Sequence, residues 1–182
     1  MSRPTHLLRH EHRVIEQAMR ALEGMCLRIL AGGDAPSEEL SKLLDFIRNY
    51  ADHFHHAKEV AHLFPALEQV VVRDDGGPLS FLRDEHETER RSLSDLELAV
   101  EEYRHDSTAG EKFVSAALQF RDHMIEHMQK EEAILFRLVE EMLDEKVKDT
   151  LTHVFAEASA EAGGWVQRYE QLAKELEKTW AV

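Results

Sequence analysis

Four histidines fall where a helix would present apolar side chains to a core, in a chain of 182 residues that contains 12 histidines. These four are His12, His55, His86 and His127. A single histidine in such a position is most simply a packed core residue. Four on separate helices are costly to bury unless each is bonded to a partner, and a shared metal ion would be such a partner.

Two of these histidines are followed by a carboxylate at a spacing of one helical turn. Glu59 comes four residues after His55, and Glu131 comes four residues after His127. Side chains at this spacing project from the same face of a helix. Imidazole nitrogens combined with two shared carboxylates suit a pair of borderline cations such as ferrous or ferric iron. The pattern therefore predicts a buried site for two metal ions.

Four long segments carry apolar residues at alternating spacings of four and three, which is typical of helices that face a bundle core. The first runs from about Thr5 to Leu30 and ends at the glycine-rich residues 32–36. Ser37, followed by two glutamates, is expected to cap the second helix, which Pro65 should bend or stop.

The third and fourth segments are separated from their neighbours by polar or glycine-rich breaks. Residues 74–78 are expected to form a loop before the third helix, and residues 105–110 a break before the fourth. The fourth segment should place Ile134 and Leu138 on its core face. Short connections between long helices imply antiparallel neighbours.

The fold expected from these segments is all-α, an antiparallel up-down four-helix bundle with an additional C-terminal helical segment. We interpret residues 1–182 as one domain, with a core bundle over about 5–143 and C-terminal helices over about 146–180 that pack across its outside. We find no internal repeat at a fixed period. Counted from one end of the bundle, each of the four histidines lies about 16 to 18 residues along its helix, which predicts that they share one layer.

Four short motifs carry these residues in chain order. They are Glu11-His12, His55-His56-Ala57-Lys58-Glu59 before Leu63-Phe64-Pro65, Glu85-His86, and His127-Met128-Gln129-Lys130-Glu131 before Leu135-Phe136. This order resembles the hemerythrin-like HHE cation-binding family over about residues 7–138. The resemblance implies a non-haem di-iron centre, with His12 and His55 on one ion, His86 and His127 on the other, and Glu59 and Glu131 bridging.

The third helix departs from the family's oxygen carriers. Those proteins have a pair of histidines one turn apart there, whereas the positions four residues either side of His86 are Leu82 and Arg90. Glu89 on the core stripe, and His123 one turn before the second His-x-x-x-Glu motif, are the candidates for an additional ligand. These differences weigh against simple reversible oxygen carriage.

The second helix leaves a choice between two adjacent histidines. His56 could exchange roles with His55, but its direction is rotated by about 100°, which favours His55. Val60 stands where the family usually has an acidic residue. Phe120 and Met124 are interpreted as packing near the metal layer that could line a gas-sized pocket.

Charge and composition narrow the partners. The chain has 36 acidic and 22 basic residues and a net charge of −14, which argues against nucleic acid or membrane partners. No apolar run approaches the roughly 18 residues of a membrane span, and no signal-peptide core is present at the start. The single cysteine, Cys26, fits a reducing compartment, so we expect a cytoplasmic protein.

The leading hypothesis for function is a binding protein with two non-haem iron ions, or other divalent cations, that binds or senses O₂, NO or a related small oxidant. The second is an enzyme that decomposes peroxide or reduces NO at the same centre. A cation-binding domain without gas chemistry is a further alternative. A role in docking another protein is also open, but the sequence identifies no protein partner.

Overall fold

Long helices form the whole framework of the computed structural model, which describes residues 3–71 and 77–181. The first three parts of the bundle are α1 (Pro4–Leu30), α2 (Ser37–Phe46) with its continuation to α3 (Phe64–Leu67), and α4 (Pro78–His105). The bundle is completed by α5 (Gly110–Lys130) with its continuation to α6 (Phe136–Met142), followed by α7 (Glu145–Glu161) and α8 (Trp165–Trp180). No strand occurs within the described ranges, and the predicted all-α helical bundle is confirmed.

The helix ends agree with the sequence in most places and differ in two. The predicted cap at Ser37 is wrong, because α2 begins at Ser37 itself and Pro36 precedes it without a side-chain cap. Pro65 does not stop the helix. It lies in the first turn of α3, directly after the π-helical segment Glu59–Leu63, so the chain stays helical through the proline. The break at residues 105–110 is a 3₁₀ turn over Ser107–Ala109. Of the predicted loop 74–78, residues 74–76 lie outside the described part of the chain.

Two of the long helices contain segments of π-helix, in which the backbone turns are wider than in an α-helix. Between α2 and α3 these segments are Ile47–His56 and Glu59–Leu63, and between α5 and α6 the segment is Glu131–Leu135. The Phe64 N–H donates to the Glu59 carbonyl, and the Phe136 N–H donates to the Glu131 carbonyl, five residues back in each case. Such wide turns occur frequently at functional sites.

The wide turn after Glu131 changes which residues face the core. Ile134, which was expected on the core face, is exposed, and Leu138 is only partly buried. The buried residues of this stretch are Leu135, Phe136 and Val139. A regular period of 3.6 residues, extended through the π-helical segment, therefore assigns the core face to residues that lie one position too early in the chain.

Apolar side chains pack above and below the histidine layer. One cluster includes Ile15, Met19 and Phe120, and the other includes Leu8 and Phe136, with α7 contributing to the second cluster. Helix α8 packs along α1, so the C-terminal helices lie against the outside of the bundle. Within residues 3–71 and 77–181, no helix is both long and apolar enough to cross a membrane.

Candidate metal centre

The four predicted histidines lie in one buried layer at the centre of the bundle. His12 comes from α1, His55 from the π-helical segment after α2, His86 from α4 and His127 from α5, and each is at most 1% exposed. The carboxylates of Glu59 and Glu131 are fully buried in the same layer. Buried polar groups at this density need bonded partners to be stable.

These side chains form two groups whose possible ligand atoms all lie within 4.8 Å of one another. The first group is His12, His55, Glu59 and Glu131, and the second is Glu59, His86, His127 and Glu131. The two glutamates therefore belong to both groups. Across the layer, His12 Nε2 lies 3.1 Å from Glu131 Oε2, and His86 Nε2 lies 3.4 Å from Glu59 Oε2. The carboxylates lie between the two pairs of imidazoles.

Several buried atoms that face the centre of the layer have no hydrogen-bond partner within residues 3–71 and 77–181. They are both carboxylate oxygens of Glu59, Oε1 of Glu131, and Nε2 of His86 and of His127. His127 Nε2 lies 2.9 Å from Glu131 Oε1 but without the geometry of a hydrogen bond. Imidazole nitrogens and carboxylate oxygens that lack partners in a closed core are a donor set suited to transition-metal ions. The residues present fit such ions.

Neighbouring charges in the layer shift the pKa values of its titratable groups. Although burial opposes it, the neighbouring Glu59, Glu11 and Glu131 raise the pKa of His55 to about 10. Burial also opposes the shift at Glu131, whose pKa is nevertheless held well below its usual range by His127 and His12. Protonated His55 and ionised Glu131 thus stabilise each other. A bound cation would take over the positive charge, and its binding would release protons.

His56 is a site residue that the sequence reasoning placed second to His55. In the structure both are buried, because the wide π-helical turn brings adjacent residues toward the same side. The His56 ring stacks on His86 with centroids 4.1 Å apart, and His56, His86 and His127 form a third possible ligand group. His56 Nε2 is buried without a hydrogen bond. The two adjacent histidines in the sequence were the signal that could have identified His56.

The two additional candidates lie next to the layer and outside these groups. Glu89 is 3% exposed, and its Oε2 lies 3.4 Å from His56 Nε2 without forming a hydrogen bond. Burial raises the pKa of Glu89 to about 7. His123 is half-buried, and its Nδ1 has no hydrogen-bond partner in the described part of the chain. Glu89 thus contacts His56, a residue of the third possible ligand group described above.

A small cavity of about 10 Å³ adjoins His56 and Glu89. This volume corresponds to about one water molecule. Phe120 and Met124 belong to its apolar wall, so the suggestion that they line a gas-sized space matches their position. Toward the surface the cavity reaches Asp52 and Arg90, which form an ion pair of 3.3 Å.

Comparison with protein families decides the classification. The model of the Hemerythrin HHE cation binding domain matches residues 3–139 and, in a second match, residues 78–180. The chain belongs to this family. No curated protein and no solved structure matches it. The hemerythrin family match and the two His/Glu groups together fit a metal-binding hemerythrin-like protein.

Proposed function

We propose that this hemerythrin-family chain is a non-haem di-iron protein that binds or senses O₂, NO or a related small oxidant. The observation that carries the proposal is the pair of four-residue groups that share Glu59 and Glu131. In this proposal His12 and His55 hold one ion, His86 and His127 hold the other, and the two glutamates bridge them. A cytoplasmic location, suggested by the single cysteine, is part of the same proposal.

The donor set favours iron over harder cations. Imidazole and carboxylate together suit iron, whereas magnesium and calcium prefer oxygen ligands alone. His56 adds a third imidazole on the side of His86 and His127, so the two ions would have unequal surroundings. Iron held there would supply a change of oxidation state and an exchangeable position for a diatomic ligand.

The cavity beside His56 supports a small ligand. A space of about 10 Å³ admits a diatomic molecule or a water but no larger organic substrate. Phe120 and Met124 keep one wall apolar, which suits O₂ or NO, and His56 and Glu89 are also among the residues that line the cavity.

NO titration of protein loaded anaerobically with ferrous iron tests this function. Optical bands that grow to saturation with NO are expected for the wild type. They should be strongly reduced for His86→Ala but unchanged for His105→Ala, which removes a histidine that is 78% exposed in the side chain. Protein that holds iron but gives no spectral change with NO or O₂ would reduce the function to cation binding without gas chemistry.

The position of Glu89 supports an enzymatic activity as the second candidate function. Its buried carboxyl group lies 3.4 Å from His56 Nε2, and neither of its oxygens has a hydrogen-bond partner among the described residues, so it is placed to exchange a proton with a ligand held beside His56. Peroxide consumption over many cycles, lost in Glu89→Gln while iron content is kept, would support an enzyme. A single stoichiometric reaction with peroxide would support a binding or sensing role.

A further inference from the structure

The two halves of the metal centre repeat one arrangement at several equivalent positions. Each half begins with a Glu-His pair, Glu11-His12 on α1 and Glu85-His86 on α4. Each continues with a His-x-x-Lys-Glu segment on the following helix, ending at Glu59 in one half and Glu131 in the other. The distances between equivalent positions in the chain differ slightly between these parts, which explains why no repeat of fixed period is seen.

The repeat extends to the groups that orient the imidazoles. In the first half His55 Nδ1 donates to Glu11 Oε2 over 2.9 Å, and Lys58 binds the other oxygen of Glu11. In the second half His127 Nδ1 donates to Glu85 Oε2 over 3.2 Å, and Lys130 binds the other oxygen of that carboxylate. A carboxylate on Nδ1 fixes the ring and leaves Nε2 free to face a metal ion.

The other two histidines also have equivalent surroundings. The His12 ring stacks on Phe136 with centroids 5.2 Å apart, and Arg9 lies over the same phenylalanine. The His86 ring lies 5.7 Å from Phe64, and Arg83 lies over that ring. His12 and His86 therefore occupy matching positions, each beside a phenylalanine and an arginine.

The match fails at the residue that follows each bridging glutamate. Glu132, directly after Glu131, accepts a hydrogen bond of 3.1 Å from His12 Nδ1. The equivalent residue after Glu59 is Val60, which has no acceptor. His86 Nδ1 is buried and has no hydrogen-bond partner among the described residues. The two positions are similarly exposed, with Val60 at 39% and the Glu132 side chain at 43%.

We propose that positions 60 and 132 are equivalent positions that set how firmly each metal ion is held: Glu132 orients His12, whereas Val60 leaves His86 without an orienting carboxylate. The inference rests on the proposed two-ion function. It makes residue 60 a positioning residue that acts on the metal through His86. Because carboxylates behind metal-binding histidines typically change metal affinity about 10–100-fold, the missing one is expected to matter by a similar factor.

The surroundings of position 60 can accept a glutamate. In the first half, Arg9 lies 3.7 Å from Glu132 and offsets its charge. Arg83, the equivalent of Arg9, lies over the Phe64 ring, which is 5.7 Å from the His86 ring, and it pairs with Glu68 over 2.7 Å. A glutamate at position 60 would thus meet an imidazole N–H and a nearby guanidinium, as Glu132 does.

Release of ferrous iron to a chelator, followed by stopped flow, tests the inference. We expect iron release in two kinetic phases, one for each ion. The phase that changes in His12→Ala belongs to the ion held by His12, and the phase that changes in His86→Ala belongs to the other ion. Val60→Glu should slow release of the ion served by His86 about 10–100-fold, and Glu132→Val should accelerate release of the other ion by a similar factor. Val60→Gln, which supplies an acceptor without the charge, should lie between Val60→Glu and the wild type.

Two further measurements separate orientation from a general effect of charge. Leu98→Glu adds the same charge at a residue that is 65% exposed and about 18 Å along α4 from His86, so it should leave both phases unchanged. In zinc-loaded protein, Val60→Glu should add one downfield imidazole N–H resonance, assigned to His86 by its loss in His86→Ala.

The outcomes distinguish this inference from the proposed function. If Val60→Glu binds two ions but releases both at the wild-type rate and shows no new N–H resonance, the inference is overturned. The di-iron proposal then still stands. If Val60→Glu does not fold, unchanged release from Glu132→Val would overturn the inference equally. Failure of the wild type to bind two ions would overturn both.

Discussion

Replacing Glu11 with alanine should destabilise the protein much more than the equivalent change at Glu85. Both variants leave a histidine Nδ1–H without its acceptor, which costs about 1–3 kcal/mol. Glu11→Ala also strands the charge of Lys58, which is only 4% exposed. Removing one partner of a buried ion pair costs about 3–5 kcal/mol. In Glu85→Ala the freed lysine, Lys130, has a side chain that is 36% exposed and can be hydrated.

We therefore expect a loss in the free energy of unfolding of about 3–5 kcal/mol for Glu11→Ala and about 1–3 kcal/mol for Glu85→Ala. Urea unfolding of the metal-free proteins measures both. The double variant Glu11→Ala/Lys58→Met removes the stranded charge, so it should recover most of the difference. Equal losses for the two single variants, or no recovery in the double variant, would refute the reasoning that buried charge dominates here.

Three other changes have outcomes set by the same structure. Gly24→Ala would place a Cβ atom 1.7 Å from the Trp180 carbonyl oxygen, so the end of α8 should detach from α1 and stability should fall by about 1–3 kcal/mol, measured by thermal unfolding and limited proteolysis. His12→Ala should lower bound iron by one ion per chain, and unchanged stoichiometry would remove His12 from the ligand set. Iron affinity should fall steadily as the pH is lowered from about 10, because protons compete with iron for His55, whose pKa in the metal-free protein is raised to about 10. Iron retained after desalting at each pH checks this.

Much of the fold could be predicted because its signals are local. Spacings of three and four residues mark helix faces, and Gly163-Gly164 marks the break before α8, which begins at Trp165. The π-helical segments could not be predicted in this way, because they shift backbone hydrogen bonds without changing the polar pattern. For the same reason Ile134 was placed on the core face.

The site was predictable where its residues repeat at one-turn spacing and less so elsewhere. His55 and Glu59 lie on one helical face, so their pairing could be inferred without coordinates. His56 could not be assigned, because its direction depends on the wide turn around it. The contact of Glu11 with His55 could not be predicted either, because no spacing rule relates a carboxylate to a histidine on another helix.

The central claim is that two iron ions share the Glu59 and Glu131 carboxylates. Its most direct test is the iron content and optical spectrum of protein purified without oxygen and then exposed to air. The account predicts two irons per chain and new charge-transfer bands on exposure, both lost when the bridging glutamates are replaced together by alanine. No bound iron, or one ion per chain that is silent on exposure, would contradict it.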